Sequence, residues 1–205
     1  MSPDRHLVVF AKKPEPGRVK TRLAAQIGDD QALAFYRQTL TDLLARMATG
    51  TDWRCWISLS PDAAATDSPF WPAPFEAVAQ GAGNLGDRMA RAIDTLPPGP
   101  VALIGADIPA IRTDHMASAF RALADHDTVF GPATDGGFWL VGSNRSFAAG
   151  DMFKNVHFST EHALADTLAN VAALGKSAAR LETLDDIDDG RAYGKWLTDV
   201  PSGAA

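Results

Sequence analysis

The sequence is poor in the features on which several protein classes depend. Cys55 is the only cysteine among 205 residues, so neither an internal disulfide nor a cysteine-rich zinc site is possible. It lies in the apolar run Trp53–Leu59, where a buried structural thiol is expected. The five histidines, His6, His115, His126, His157 and His162, show no His-Glu-x-x-His or similar spacing, which argues against zinc. No Gly-x-Ser-x-Gly elbow occurs and no Ser/His/Asp set stands out. The longest apolar stretches, such as Val101–Ala106, fall far short of the ~18 residues that a membrane span needs. Met1–Arg5 lacks a signal-peptide pattern, so a cytoplasmic chain with no membrane partner is expected.

What is present is ordinary for a globular chain: 46% hydrophobic and 21% charged residues. The length suggests a single domain over residues 1–200, with Pro201–Ala205 as a frayed tail. The net charge of −6 disfavours nucleic acid as a partner, yet the charge is unevenly spread. Lys12, Lys13, Arg18, Lys20 and Arg22 stand within 11 positions, against Glu15 alone. The remaining 14 basic residues face 24 acidic ones. An acidic body with one basic loop points to a local anion site, such as one for phosphates.

Apolar runs rich in β-branched and aromatic residues predict strands at His6–Ala11, Trp53–Leu59, Phe75–Ala79, Val101–Ala106, Thr128–Phe130, Phe138–Val141 and Ala178–Leu181. Amphipathic spacing predicts helices over Lys20–Ile27, Asp29–Met47, Leu85–Leu96, Thr113–Ala124, Thr160–Leu174 and Ile187–Leu197. Pro61–Pro74 supports no assignment. Strands alternating with helices predict a three-layer α/β/α sandwich around a mixed, mostly parallel sheet. The tight Gly131–Gly137 connection predicts that the later strands leave the regular winding.

Five segments carry candidate chemistry. Phe10–Leu23 is a strand, a loop with Gly17, and a helix start bearing Lys20 and Arg22. Cations in a first turn oppose the helix dipole, so they make better sense facing an anion. A solvated basic turn would give the same charge pattern. The segment is not a Walker A loop, because the spacing of its glycines and lysine differs. Val101–Pro109 ends a buried run in Asp107, placing a carboxylate at the strand edge where open α/β sheets bind ligands. Such a carboxylate can ligate Mg²⁺ or simply cap a loop. Gln80–Met89 sets Gly81 and Gly83 before a helix, with Arg88 as an added cation; glycine-rich helix starts are common structural features. Gly131–Gly142 contains Asp135-Gly136-Gly137, either a plain turn or the mouth of an acceptor pocket. Asp185, Asp186, Asp188 and Asp189 form an acidic stretch, in which Asp186 or Asp188 can supply a second ligand to an ion held by Asp107.

Taken together these segments resemble a bacterial family of glycosyltransferase-like proteins, domain of unknown function 2064, within the GT-A (nucleotide-diphospho-sugar transferase) superfamily. The residues that carry the resemblance are Phe10–Leu23, Gln80–Met89, Gly105–Pro109, Gly131–Gly137, Phe158-Ser-Thr160 and Asp186–Asp189. The chain departs from the family pattern with Asn84 in place of aspartate and Arg191-Ala-Tyr193 after the final acids. A more remote similarity is to guanylyl- and cytidylyltransferases. The resemblance implies a nucleotide site on Lys12, Gly17, Arg18, Lys20, Arg22, Gln80, Gly81, Gly83 and Arg88. It also implies an acceptor site at Asp135, Gly136 and Gly137, and Mg²⁺ or Mn²⁺ on Asp107 and Asp186. Lys20 and Asp107 are the expected catalytic residues.

Three functions follow as expectations. The first is transfer of a nucleoside monophosphate from a triphosphate to a small phosphorylated or hydroxyl acceptor, which needs alignment and charge neutralisation rather than a protein nucleophile. The second is glycosyl transfer from a nucleotide sugar. Many such enzymes carry Asp-x-Asp after the central strand, whereas Gly105-Ala-Asp107 offers one carboxylate. The third is nucleotide binding without catalysis, since a fold does not dictate activity.

Overall fold

The computed structural model describes residues 4–50, 52–66 and 71–199; the expected tail at Pro201–Ala205 lies outside them. Seven strands form one sheet: β1 (His6–Lys12), β2 (Arg54–Ser60), β3 (Glu76–Ala79), β4 (Val101–Gly105), β5 (Thr128–Pro132), β6 (Phe138–Ser143) and β7 (Ala178–Arg180). Their order is β3-β2-β1-β4-β6-β5-β7. Only β6 runs against the others, antiparallel to both β4 and β5. The tight connection over residues 131–137 therefore reverses the chain as expected, because so short a loop cannot make a parallel crossover.

Seven helices pack on the sheet: α1 (Thr21–Ile27), α2 (Asp29–Ala48), α3 (Leu85–Asp94), α4 (Thr113–Asp125), α5 (Ala149–Met152), α6 (Ala163–Ala173) and α7 (Gly190–Asp199). Alternation along the strands divides the core into two layers. Leu7, Val9 and Ala11 of β1 join Leu40, Leu43 and Met47 of α2 and Met116 and Phe120 of α4. Val8 faces the opposite way, onto Met89 and Ile93 of α3, Met152 of α5 and Val171 of α6. A third cluster joins Leu23 of α1, Phe35 of α2 and Ile187, with Tyr193 and Trp196 of α7 against it. The architecture is the expected α/β/α sandwich with a mostly parallel mixed sheet.

Cys55 is buried, its thiol directed at the Met47 carbonyl and pushed up to about 11 by burial. No helix among the described residues is long and apolar enough to cross a membrane.

Three boundaries differ from expectation for physical reasons. Residues 62–66 form a 3-10 turn inside the unassigned proline-rich stretch. Helix α6 starts at Ala163 rather than at Thr160, because Ser159 adopts a left-handed φ of 62° and breaks the approach. Helix α7 starts at Gly190 rather than at Ile187. Asp189 sets that start by accepting from Ala192 N–H at 2.8 Å. The chain before α7 lies outside the helix, and Ile187 turns into the core between the partly buried Asp186 and Asp188.

Candidate functional site

A cleft of about 510 Å³ opens at the C-terminal edge of the parallel strands. This is the edge at which sheets wound in both directions from a central strand leave a crevice. The ends of β1 and β4, the β5–β6 connection, the start of α3 and the acidic stretch before α7 all reach it. Lys12, Lys20, Gln80, Arg88, Asp107, Asp135, Gly137, Asp186 and Asp188 line it. Residues up to 176 positions apart in sequence thus meet in one place.

Lys20 is the pivot of the acidic side. Its Nζ lies 2.6 Å from Asp188 Oδ1 and 3.0 Å from Asp107 Oδ2, and its side chain is only 3% exposed. Burial works against its charge, but the Asp107 and Asp188 carboxylates outweigh that and hold the ammonium above its usual pKa. Lys20 precedes α1 in a left-handed conformation, φ 46° and ψ 43°. The ion pairs fasten α1 to the β4 end and to the segment before α7.

Asp186 is the carboxylate that Lys20 does not reach. Burial pushes its carboxyl up to about 6, helped by Asp188, Asp135 and Asp107 and opposed by Lys20. The acidic stretch is fixed to the β5–β6 connection by Leu184 N–H donating to Pro132 O at 3.1 Å and Thr134 N–H to Leu184 O at 3.3 Å. Four carboxylates therefore crowd a region in which one buried ammonium contacts two of them. Hard oxygen donors in cation deficit fit Mg²⁺ or Mn²⁺. Among the described residues no three or more such groups form a ready-made cage. That suits an ion which keeps waters and takes substrate phosphates as its remaining ligands.

The opposite side is hydrogen-bonded throughout. Gln80 is buried, and its Nε2 donates to Ala11 O at 3.0 Å and Ser58 O at 3.1 Å. Its Oε1 accepts from Arg88 Nη1 at 3.4 Å, and Arg88 Nε also donates to Asn84 O. Among the described residues neither Lys12 nor Arg88 has an ion-pair partner, which leaves both cations free for an anion. Tyr36, which the helix periodicity marks only as a core residue, also reaches the cleft. Its hydroxyl donates to Lys12 O and accepts from Lys12 N–H, both at 3.0 Å, closing the end of β1. A buried tyrosine hydroxyl needs such a partner, but nothing in the sequence says which one.

Other expected site residues lie elsewhere. Arg18 pairs with Glu15 at 3.4 Å, and Arg22 reaches Asp188 only at 3.9 Å; both side chains are 71% exposed. Gly17 occupies an exposed turn with φ 69°. Gly81 and Gly83 do not line the cleft. Gly81 N–H already donates to Asp62 Oδ1, and a Cβ there would strike the Arg91 guanidinium, which donates to Gln80 O and Ala82 O. A Cβ at Gly83 would strike Asp87. These glycines shape the loop rather than offer it to a ligand. Asn84 caps α3, accepting from Asp87 N–H while its own N–H donates to the Asp87 carboxylate. Asparagine and aspartate cap equally well, so the departure from aspartate is structurally neutral.

On the acceptor side Asp135 and Gly137 line the cleft, but Gly137 N–H is held by Asp135 Oδ1 at 2.8 Å. Gly136 faces away. A Cβ there would lie 2.2 Å from Glu161 O, so its role is close backbone approach to the chain before α6. Asp125-His126-Asp127 is structural: Asp127 accepts from Ser146, Ser177 and Lys176, and these bonds hold its carboxyl far below the usual range.

Residues 43–160 match the pattern of a family described as "Uncharacterized protein conserved in bacteria (DUF2064)". No curated protein matches. A solved structure from Desulfovibrio desulfuricans G20, provisionally named a nucleotide-diphospho-sugar transferase, is 26% identical with a TM-score of 0.87, over 98% of this chain and 90% of that one. The inositol-1-phosphate CTP transferase of T. maritima shares the fold at 12% identity and a TM-score of 0.58, over 100% and 99% of the two chains. Rv0371C of Mycobacterium tuberculosis H37Rv, solved with manganese, does so at 16% and 0.56, over 97% and 100%.

Proposed function

The chain belongs to the bacterial family DUF2064, and we propose that it is a nucleotidyltransferase that moves a nucleoside monophosphate from a triphosphate to a small phosphorylated or hydroxyl acceptor. One observation carries the reading: free cations and a cation-deficient group of carboxylates line the same cleft. A metal triphosphate needs both signs at once. The fold relatives that are named as transferases, one of them for CTP, support the same class.

In this reading Lys12 and Arg88 bind the triphosphate, with Gln80 holding Arg88 in place. Asp107 and Asp186 would hold Mg²⁺ or Mn²⁺, which when bound neutralises phosphate charge. An acceptor oxygen beside Asp135 bonds to the α-phosphorus as the bond to the β-phosphate oxygen breaks, and pyrophosphate leaves. Lys20 keeps Asp107 and Asp188 fixed and adds positive charge near the departing phosphates. Losing one such stabilising contact typically costs about 3 kcal/mol of barrier, roughly a hundredfold in rate. Gly105 supports a single carboxylate at the end of β4, since a Cβ there would press to 3.2 Å on Asp107 Oδ1.

The likeness to the Desulfovibrio protein favours a second reading, glycosyl transfer from a nucleotide sugar in the same cleft. A thermal-shift screen of nucleoside triphosphates and nucleotide sugars, with and without Mg²⁺, followed by product analysis, separates the two. Pyrophosphate release supports the first and nucleoside diphosphate release the second. Stabilisation by ligand with neither product indicates a binding protein without catalysis.

A further inference from the structure

Four residues other than glycine hold a positive φ: Lys20, Arg145, Asn155 and Ser159. Such backbone costs energy and persists only when something compensates. For three of them the compensation is visible. Lys20 gains two buried ion pairs. Arg145 gains a bond from its N–H to Ser143 Oγ, and its guanidinium donates to the carbonyls of Asp94, Leu96 and Pro97. Asparagine, as at position 155, tolerates the left-handed region. Ser159, with φ 62°, has no such return, for among the described residues its hydroxyl makes no hydrogen bond. Yet Ser159 lines the cleft, as Lys20 does.

Its neighbours hold it there. Phe158 packs against Phe153 and closely over Gly86 of α3. Thr160 Oγ1 donates to His157 O at 2.7 Å and accepts from His162 N–H at 3.2 Å. Leu164 N–H donates to Gly136 O at 3.0 Å, joining this turn to the Asp135 turn across the cleft wall. The structure thus fixes a strained, unsatisfied hydroxyl beside the Asp135 carboxylate, with the faces of Phe138 and Phe158 nearby. A hydroxyl and a carboxylate next to aromatic faces suit a polyhydroxylated group: its hydroxyls meet the polar pair and its CH surface meets the rings.

We propose that Ser159 binds the non-nucleotide part of the substrate and that this part carries hydroxyl groups, an inference that rests on the nucleotide reading above. The test uses Ser159→Gly, which removes the hydroxyl but suits φ 62°, and Ser159→Ala, which removes it and keeps the strain. Calorimetry compares Mg²⁺ complexes of the nucleoside triphosphates with UDP-glucose, GDP-mannose, ADP-glucose and CDP-glucose. Both variants are expected to bind the preferred nucleotide sugar about five-fold more weakly, with triphosphate affinity unchanged. Ser159→Gly should also melt about 2 °C or more above the parent, showing that the loss is not one of folding. Full nucleotide-sugar affinity in Ser159→Gly, equal losses for both ligands, or triphosphate binding with no nucleotide-sugar binding in the parent would each overturn the proposal. If the parent binds neither ligand, the nucleotide reading itself fails and this inference goes with it.

Discussion

The two sides of the cleft are built on opposite principles. On the Gln80 side the polar groups find partners within the chain: Gln80 bridges β1 and β2, Asn84 and Asp87 satisfy each other, and Arg91 holds the glycine loop. On the Asp186 side four carboxylates share one buried ammonium, and burial and mutual repulsion raise the Asp186 carboxyl. The first side is stable without a ligand and the second is short of positive charge. The contrast shows where a divalent cation improves the molecule and where it would change nothing.

Substitutions can break or sharpen this contrast. The largest effect on stability is expected at Gln80→Ala, because it strips the side-chain donor from two strand-end carbonyls at a buried position. A loss of about 2 kcal/mol, read as a fall in Tm of roughly 4–8 °C, would mark that side as structurally complete. No change in Tm would remove the distinction.

Asp186→Asn should act in the other direction. Because the folded pKa lies above the unfolded value near 3.8, native Asp186 loses stability as pH rises from about 4 to about 6. The asparagine variant should therefore gain about 1 kcal/mol at pH 7, discounted for solvent screening. That gain should vanish as the pH falls to about 4. Denaturant melts at both pH values check this; a variant less stable at pH 7 would mean that the acids do not repel. The smallest effect is expected at Arg18→Ala. This exposed side chain pairs only with Glu15, so stability should move by less than about 0.5 kcal/mol and calorimetric triphosphate affinity by less than about two-fold.

Much of this was legible in the sequence. The strand ending in Asp107, the turn at Asp135 and the basic run around Lys20 each carry a local signal, and a parallel sheet brings strand ends to one edge. The division of labour within each segment was not legible. Lys20 and Arg22 look alike in sequence, but only Lys20 turns inward, because its left-handed backbone sends the side chain beneath two acids. Gly81 and Gly83 read as ligand-facing, whereas the contacts of Asp62, Arg91 and Asp87 that occupy them come from parts of the chain whose meeting only the fold determines. Acids before α7 suggested a helix start, and only the delayed cap at Asp189 reveals that the chain carrying Asp186 and Asp188 precedes the helix.

The central claim, that the acids near Lys20 complete a metal-nucleotide site, is tested most directly by titrating nucleoside triphosphate into the parent protein and into Asp107→Asn, with and without Mg²⁺. The account predicts that Mg²⁺ strengthens binding to the parent and has no effect on Asp107→Asn, which keeps the weaker metal-free affinity supplied by Lys12 and Arg88. An undiminished Mg²⁺ effect in the folded Asp107→Asn protein would contradict it.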